Sequence, residues 1–232
     1  MLQLDGLTLR QDDFSLAADW RAEAGERIAI IGPSGAGKST LLMMIAGFLA
    51  PDTGRVLWQG QDLAGLGPGA RPVTTLFQDQ NLFPHLTVTR NLALGLTTAA
   101  RMTPDQADRI ESVLGRVGLA GMGARRPSAL SGGQAGRVAL ARALLRARPI
   151  LLLDEPFSAL GPALRAEMIA LVNEVADETG ALVLMVTHDP QDARAMGRTV
   201  LVADGVAHPP SNTGALFADP PPALRAYLGD PK

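Results

Sequence analysis

The amino-acid sequence predicts an α/β fold on a mixed sheet, with an antiparallel β subdomain on the N-terminal side and an inserted helical subdomain. Three observations lead there. Apolar runs such as Arg27-Ile28-Ala29-Ile30-Ile31, Ile150-Leu151-Leu152-Leu153 and Leu182 to Val186 match strands buried on both faces. Helical patterns separate them, among them Gly133 to Ala147 and Pro162 to Glu178. Leu2, Leu4, Leu7 and Leu9 alternate with polar residues near the start, as in a half-buried strand, taken here as an edge.

The remaining elements follow in order. Phe14 to Ala22 forms a second strand, ended by Gly25. Pro51-Asp52-Thr53-Gly54 is a turn, and Arg55 to Trp58 a hairpin-like strand before Gln59-Gly60. A loose Gly- and Pro-rich segment runs to Pro72, and Val73 to Phe77 is a strand leading into Gln78. Thr87 to Leu96 is helical in pattern. Thr103-Pro104-Asp105-Gln106 carries a cap, a first-turn proline and a glutamine three residues on, so a helix starts there and runs to about Val117. These two helices place the helical subdomain at about 86–128, with the core at about 1–85 and 129–232. Asp189-Pro190 starts another helix. Val200-Leu201-Val202 and Val206 form a terminal hairpin around Asp204-Gly205, and a short helix reaches Leu228.

Composition bounds the function. The 232 residues suit one domain with a subdomain, and 47% hydrophobic residues suffice for a large core. A net charge of -2 gives no general footprint for nucleic acid. The absence of cysteine excludes disulfides and thiolate metal sites and suits the cytosol. No signal-like segment follows Met1, and no apolar run approaches the roughly 18 residues of a membrane span. The expectation is a protein that is soluble, or held at a membrane by a partner.

The chemistry centres on Gly32-Pro33-Ser34-Gly35-Ala36-Gly37-Lys38-Ser39-Thr40, which fits G-x-x-x-x-G-K-[ST] between a strand and a helix. Glycines let successive N–H groups converge on anionic oxygens, and the helix N-terminus adds partial positive charge. Lys38 then reaches the β- and γ-phosphates and Ser39 binds Mg²⁺, which makes the core a P-loop NTPase. A glycine turn that binds nothing would not need both flanks correct. Asp154 and Glu155 end an apolar strand, and in parallel sheets ligands sit beyond such ends. Beside a phosphate loop, Asp154 is placed to hold Mg²⁺ and Glu155 to polarise an attacking water, although alone the pair would read as a cap. Leu130-Ser131-Gly132-Gly133-Gln134 offers N–H groups, a hydroxyl and an amide at a helix start, a second anion site or a plain serine cap.

In this order, the loop at Gly32, Gln78, Leu130 to Gln134, Leu153-Asp154-Glu155-Pro156 and His188 resemble the ATP-binding subunits of ABC transporters over nearly the whole chain. They match the family's Walker A, Q-loop, signature, Walker B and switch histidine. The resemblance implies that Gln78 touches Mg²⁺ and the attacking water and couples to a membrane subunit, and that His188 contacts the γ-phosphate. Alone, Gln78 would be an ordinary loop residue and His188 a core or capping histidine. It also implies a head-to-tail homodimer with two ATPs, each between one copy's phosphate loop and the other's signature. A transmembrane permease would dock near Gln78 and the helical subdomain. A periplasmic solute-binding protein would act indirectly, and the chain would sit at the cytoplasmic face of a bacterial inner membrane.

The segments Arg71-Pro72-Val73 to Gln78, Asn81 to Val88 and Glu155 to Leu160 are similar to importers of thiamine, iron, sulfate and polyamines, most of all to thiamine-importer ATPases. Three features depart from the family. No tyrosine stands near the first strands to stack on adenine; Phe14 is the nearest candidate, with core packing its equal alternative. Ala135-Gly136-Arg137 replaces the common Arg-Gln-Arg, and Gly161 stands where relatives have Asp. Competing readings are a soluble ABC ATPase of repair or translation, a P-loop kinase or GTPase, and a non-hydrolysing sensor. The first usually needs two cassettes, a coiled coil or a basic surface; Leu130 to Gln134 and His188 oppose the second; only Gly161 favours the third.

Overall fold

The computed structural model describes residues 1–77, 82–97, 99, 101–158 and 160–228. It opens with β1 (Leu2–Gln11) and β2 (Phe14–Ala22), which pair antiparallel. Then come β3 (Arg27–Ile31), α1 (Lys38–Ala46), β4 (Thr53–Trp58) and β5 (Gln61–Asp62), the last inside the segment read as loose. β1 is not an edge: β2 flanks it on one side and β4 on the other. Its alternation reports one buried face, which an interior antiparallel strand also has. The step of three between Leu4 and Leu7 is a bulge, where register shifts against both neighbours and Gly6 turns to φ 56°.

Next in the chain are β6 (Val73–Leu76), α2 (Val88–Ala93), α3 (Pro104–Arg116), a 3₁₀ turn (Pro127–Ala129) and α4 (Gly132–Arg146). Thr87 caps α2, and Thr103 and Gln106 form the expected capping box on α3. α2 stops short of Leu96, since the Gly95 and Leu96 N–H groups donate three residues back, to Leu92 and Ala93; Gly95 lies against α4, where a Cβ would come within 2.7 Å of the Arg142 carbonyl oxygen. The chain finishes with β7 (Ile150–Asp154), α5 (Pro162–Thr179), β8 (Leu182–Val186), α6 (Pro190–Met196), β9 (Arg198–Ala203), β10 (Val206–Ala207), β11 (Ser211–Asn212), α7 (Thr213–Ala218) and α8 (Pro222–Leu228). β9 and β10 form the expected hairpin, but β11 and α7 follow it, so it is not terminal.

The sheet order is β5-β4-β1-β2-β10-β9-β3-β8-β7-β6, with β11 beside β9. β6, β7, β8, β3 and β9 run parallel. Both of their faces are covered. Ile28, Ile30, Ile150, Leu152, Leu182 and Leu184 join one apolar cluster with Leu41, Ile45 and Trp20. Ala29, Ile31, Leu151, Leu153, Val183 and Met185 join a second, with Val138, Leu140 and Val172 from the helices. Continuous apolar runs are the result of that two-sided burial.

α1 carries the glycine loop at its N-terminus, and its other end is held by a residue distant in sequence. Gly47 ends the helix at φ 85°, and Arg71, 5% exposed, donates to the carbonyl oxygens of Met44 (2.9 Å), Ile45 (2.8 Å) and Leu66 (3.0 Å). A buried cation on the last carbonyls suits the negative end of the helix dipole. Arg71→Met keeps the apolar stem and removes the guanidinium from all three oxygens, leaving Met44 only its bond from the Gly47 N–H. The expected loss is about 1.5–3 kcal/mol in urea unfolding, the range for hydrogen bonds to a charged group. A variant within about 0.5 kcal/mol of wild type, the scatter of neutral surface changes, would refute this anchoring role.

Candidate active site

The parallel strands are in register at their carboxyl ends: Ile30 pairs with Val186, Val186 with Asp154, and Leu76 with Leu153. Residues just beyond these ends therefore meet on one edge, where open α/β sheets bind ligands. A cleft of about 370 Å³ lies there, lined by Gln11, Phe14, Ser34, Gly35, Gly37, Lys38, Ser39, Thr40 and Glu155.

The loop can take its shape only with glycine at two points. Gly32 has φ 150°, and a Cβ there would fall 2.0 Å from the Val202 carbonyl oxygen. Gly37, at φ 102°, is the N-cap of α1, and its Cβ would lie 2.8 Å from the Phe14 ring. That glycine supplies no side-chain cap, and no acid stands in the first turn, so the helix start faces the cleft with its N–H groups and positive dipole end. Lys38 Nζ donates to the carbonyl oxygens of Gly32 and Pro33, each at 2.8 Å. Burial lowers the Lys38 pKa, and Glu155 and Asp154 oppose that shift.

Ser39 Oγ donates to Asp154 Oδ1 at 3.0 Å. Burial pushes the Asp154 carboxyl above its ordinary pKa; the Ser39 hydrogen bond opposes this, and the charge of Glu155 adds to it. Glu155 occupies the left-handed region at φ 45°, where a non-glycine residue is strained. Its N–H donates to the Val186 carbonyl at 3.1 Å, and its own carbonyl accepts from Ser158 Oγ at 3.1 Å, which hold the turn. His188 Nδ1 approaches Glu155 Oε2 to 3.5 Å.

The residues beside His188 are fixed by a network the sequence reading missed. Thr187 Oγ1 donates to Asp192 Oδ2 (2.6 Å), while Arg165 Nε and Nη1 donate to Asp192 Oδ2 and Asp189 Oδ2 (both 3.0 Å). Asp192 is 4% exposed. The available signal was weak: an acid three residues after Asp189 on one helix, and an Arg in another helix distant in sequence.

Phe14 stands on the cleft wall against Gly37, with its ring also against the core beneath. Gln11, which the sequence reading did not single out, lines the same wall. Gln78 lies outside the described residues. Leu130, Ser131, Gly132, Gly133 and Gln134 do not line the cleft. Ser131 Oγ accepts from the Gln134 N–H (3.3 Å) and Gln134 Oε1 from the Ser131 N–H (3.0 Å). The hydroxyl and amide thus act as acceptors in a capping box, the serine cap that the sequence also allowed, and keep their N–H and O–H protons for an outside anion. Gly133 faces Leu160 and Leu164, each within 3.1 Å of where a Cβ would stand.

A glycine-turned phosphate cradle with a lysine, a Ser–Asp pair and a Glu–His pair at one sheet edge defines a P-loop ATPase. The model of the family "ABC transporter" matches residues 17–158, and the chain belongs to that family. It is 70% identical over 230 residues to the thiamine import ATP-binding protein ThiQ of Cereibacter sphaeroides, covering 99% of this chain and all of that one. The protein of that name from Ruegeria is 53% identical, at 99% and 100% coverage. Among solved structures, the dimeric ATP-binding cassette MJ0796 bound to ADP and Pi superposes with a TM-score of 0.80 at 29% identity, over 92% of this chain and 99% of that one.

The pKa direction at Asp154 fixes a sign. An acid whose folded pKa is raised costs nothing below its ordinary pKa and destabilises fully above its folded pKa. Asp154→Asn should therefore raise the melting temperature of the nucleotide-free protein at pH 8 by about 2–4 °C per kcal/mol recovered, and the gain should shrink towards pH 4. A melting temperature lowered at pH 8 would contradict the assignment of burial as the dominant cause.

Proposed function

We propose that the chain is the ATP-hydrolysing subunit of a bacterial importer, and that the solute is thiamine or its phosphates. The observation that carries this reading is full-length likeness to thiamine import ATP-binding proteins, together with an intact hydrolytic edge. Lys38 leaves the Gly32 and Pro33 carbonyls to neutralise the β- and γ-phosphates, with the α1 N–H groups around them. Ser39 Oγ and Asp154 Oδ1 are hard oxygen ligands 3.0 Å apart, the pair that would hold Mg²⁺. Bound there, Mg²⁺ would supply charge neutralisation to the phosphates. Glu155 takes the proton of the attacking water, and His188 steadies Glu155 and the γ-phosphate. Gln78 is assigned a place beside that water by resemblance. Phe14 is the proposed stacking face for the base.

Ser131 and Gln134, with protons left to donate and a place outside the phosphate-loop cleft, serve the ATP of a second copy in a C₂ homodimer. The permease is proposed to dock near residue 78 and the helical subdomain. Supporting this, Phe48 (56% exposed), Phe83 (46%) and Leu94 (40%) are exposed apolar side chains, and Phe48 packs edge-on to Phe77 at 5.5 Å. No helix among the described residues is long and apolar enough to cross a membrane. Held by the permease, the chain would work at the cytoplasmic face of the inner membrane.

Uptake of labelled thiamine in cells deleted for this gene tests the assignment. Wild type should restore uptake and Lys38→Ala should not, since losing the ammonium costs a few kcal/mol, about 10²-fold or more in turnover. Undiminished thiamine uptake in the deletion, with loss of iron, sulfate or polyamine uptake, would refute the solute.

Gly161 is the N-cap of α5 without a side-chain bond, and a Cβ there meets nothing within 4 Å. Gly161→Asp should leave stability within about 0.5 kcal/mol, because Gly caps nearly as well. It should tighten the ATP-bound dimer through a new cross-dimer carboxylate. Dimer dissociation constants equal to wild type in equilibrium ultracentrifugation would dispose of the cross-dimer role.

A further inference from the structure

The C-terminal helix α8 reaches the hydrolytic edge. Leu224 roots it in the core at 0% exposure, and Arg194 of α6 stacks over Phe217 of α7 at 4.9 Å, tying the preceding helix to α6. From this anchored segment the Tyr227 hydroxyl donates to the carbonyl oxygen of His188 at 3.1 Å. The His188 imidazole is 53% exposed and approaches Glu155 to 3.5 Å, so its reach to that carboxylate depends on where its backbone is held. That backbone is fixed on both sides by the Thr187–Asp192–Arg165–Asp189 network. Tyr227 adds a hold on the histidine's own peptide.

We infer that Tyr227 is a positioning residue for hydrolysis, fixing the His188 peptide and through it the alignment of the imidazole with Glu155. The phenol is held as a donor: burial first, then the negative charges of Glu155 and Asp189, push its pKa above the ordinary value. The inference rests on the reading of Glu155 and His188 as the hydrolytic pair. It places a determinant of turnover in the last helix, outside the phosphate loop. Tyr227 should therefore act on kcat and not on nucleotide affinity.

The test uses the full chain with Tyr227→Phe, His188→Ala and both together. Tyr227→Phe keeps the ring and removes the hydroxyl. It should lower kcat for Mg-ATP about two- to tenfold, the range for one lost hydrogen bond, with KM and mant-ATP affinity unchanged. Added to His188→Ala, it should cause no further loss. Because the chain has three histidines, the His188 ring resonance is identified by its absence in His188→Ala. In Tyr227→Phe that resonance should move while those of His85 and His208 stay. Wild-type kcat with an unmoved His188 resonance overturns the inference alone, as does an equal loss in both backgrounds. A His188→Ala protein with wild-type turnover overturns the hydrolytic pair, and the inference with it.

Discussion

Five parallel strands covered on both faces leave polar chemistry one outlet, the edge at their carboxyl ends. Ile28 to Ile31, Ile150 to Leu153 and Leu182 to Val186 are buried almost completely, so no functional side chain can project from the faces. Register then does the assembling. The Ile30–Val186 and Asp154–Val186 pairings bring the glycine loop together with the two acids and His188, although the loop lies more than 100 positions before them in the chain. Every later feature depends on that alignment. A slip of one residue would turn each apolar set to the wrong face and scatter the site.

The assembled edge is under electrostatic and conformational tension. Lys38 and Asp154 are each pushed towards their neutral forms by burial, and Glu155 holds a backbone conformation unfavourable to a side chain. Lys38 satisfies itself on two loop carbonyls, and Asp154 on Ser39. Phosphate oxygens and a hard cation would satisfy all of these groups better. The site is therefore preorganised for a charged ligand at a cost to the free fold, the expected balance between stability and function.

Much of this was legible in the sequence. Gly32 to Thr40 fixes loop, strand and helix together because the motif carries its own backbone requirements, and Thr103-Pro104-Asp105-Gln106 announces a cap by local rules. What stayed hidden is non-local. Alternation at Leu2 to Leu9 reports a buried face but not how many neighbours a strand has, so β1 was misread as an edge. Arg71 falls in a Gly- and Pro-rich segment with no local signal for its role, and only the fold carries it to the end of α1. Arg165, Asp192 and Tyr227 meet around His188 from three different helices, and no spacing rule joins them. Ser131 and Gln134 were visible as a helix start, but that they brace one another is a fact of geometry.

The central claim is that the hydrolytic edge is completed by a second copy of the chain. Glu155→Gln tests it most directly, because it keeps the shape of the side chain and removes the base. With Mg-ATP, light scattering after size exclusion should give twice the 24.3 kDa of the chain, and with ADP the single mass. Adding Ser131→Arg, which places a bulky cation at the signature, should abolish the doubled mass. A Glu155→Gln protein that stays at the single mass at high protein concentration and saturating ATP, or a dimer indifferent to Ser131→Arg, would contradict the account.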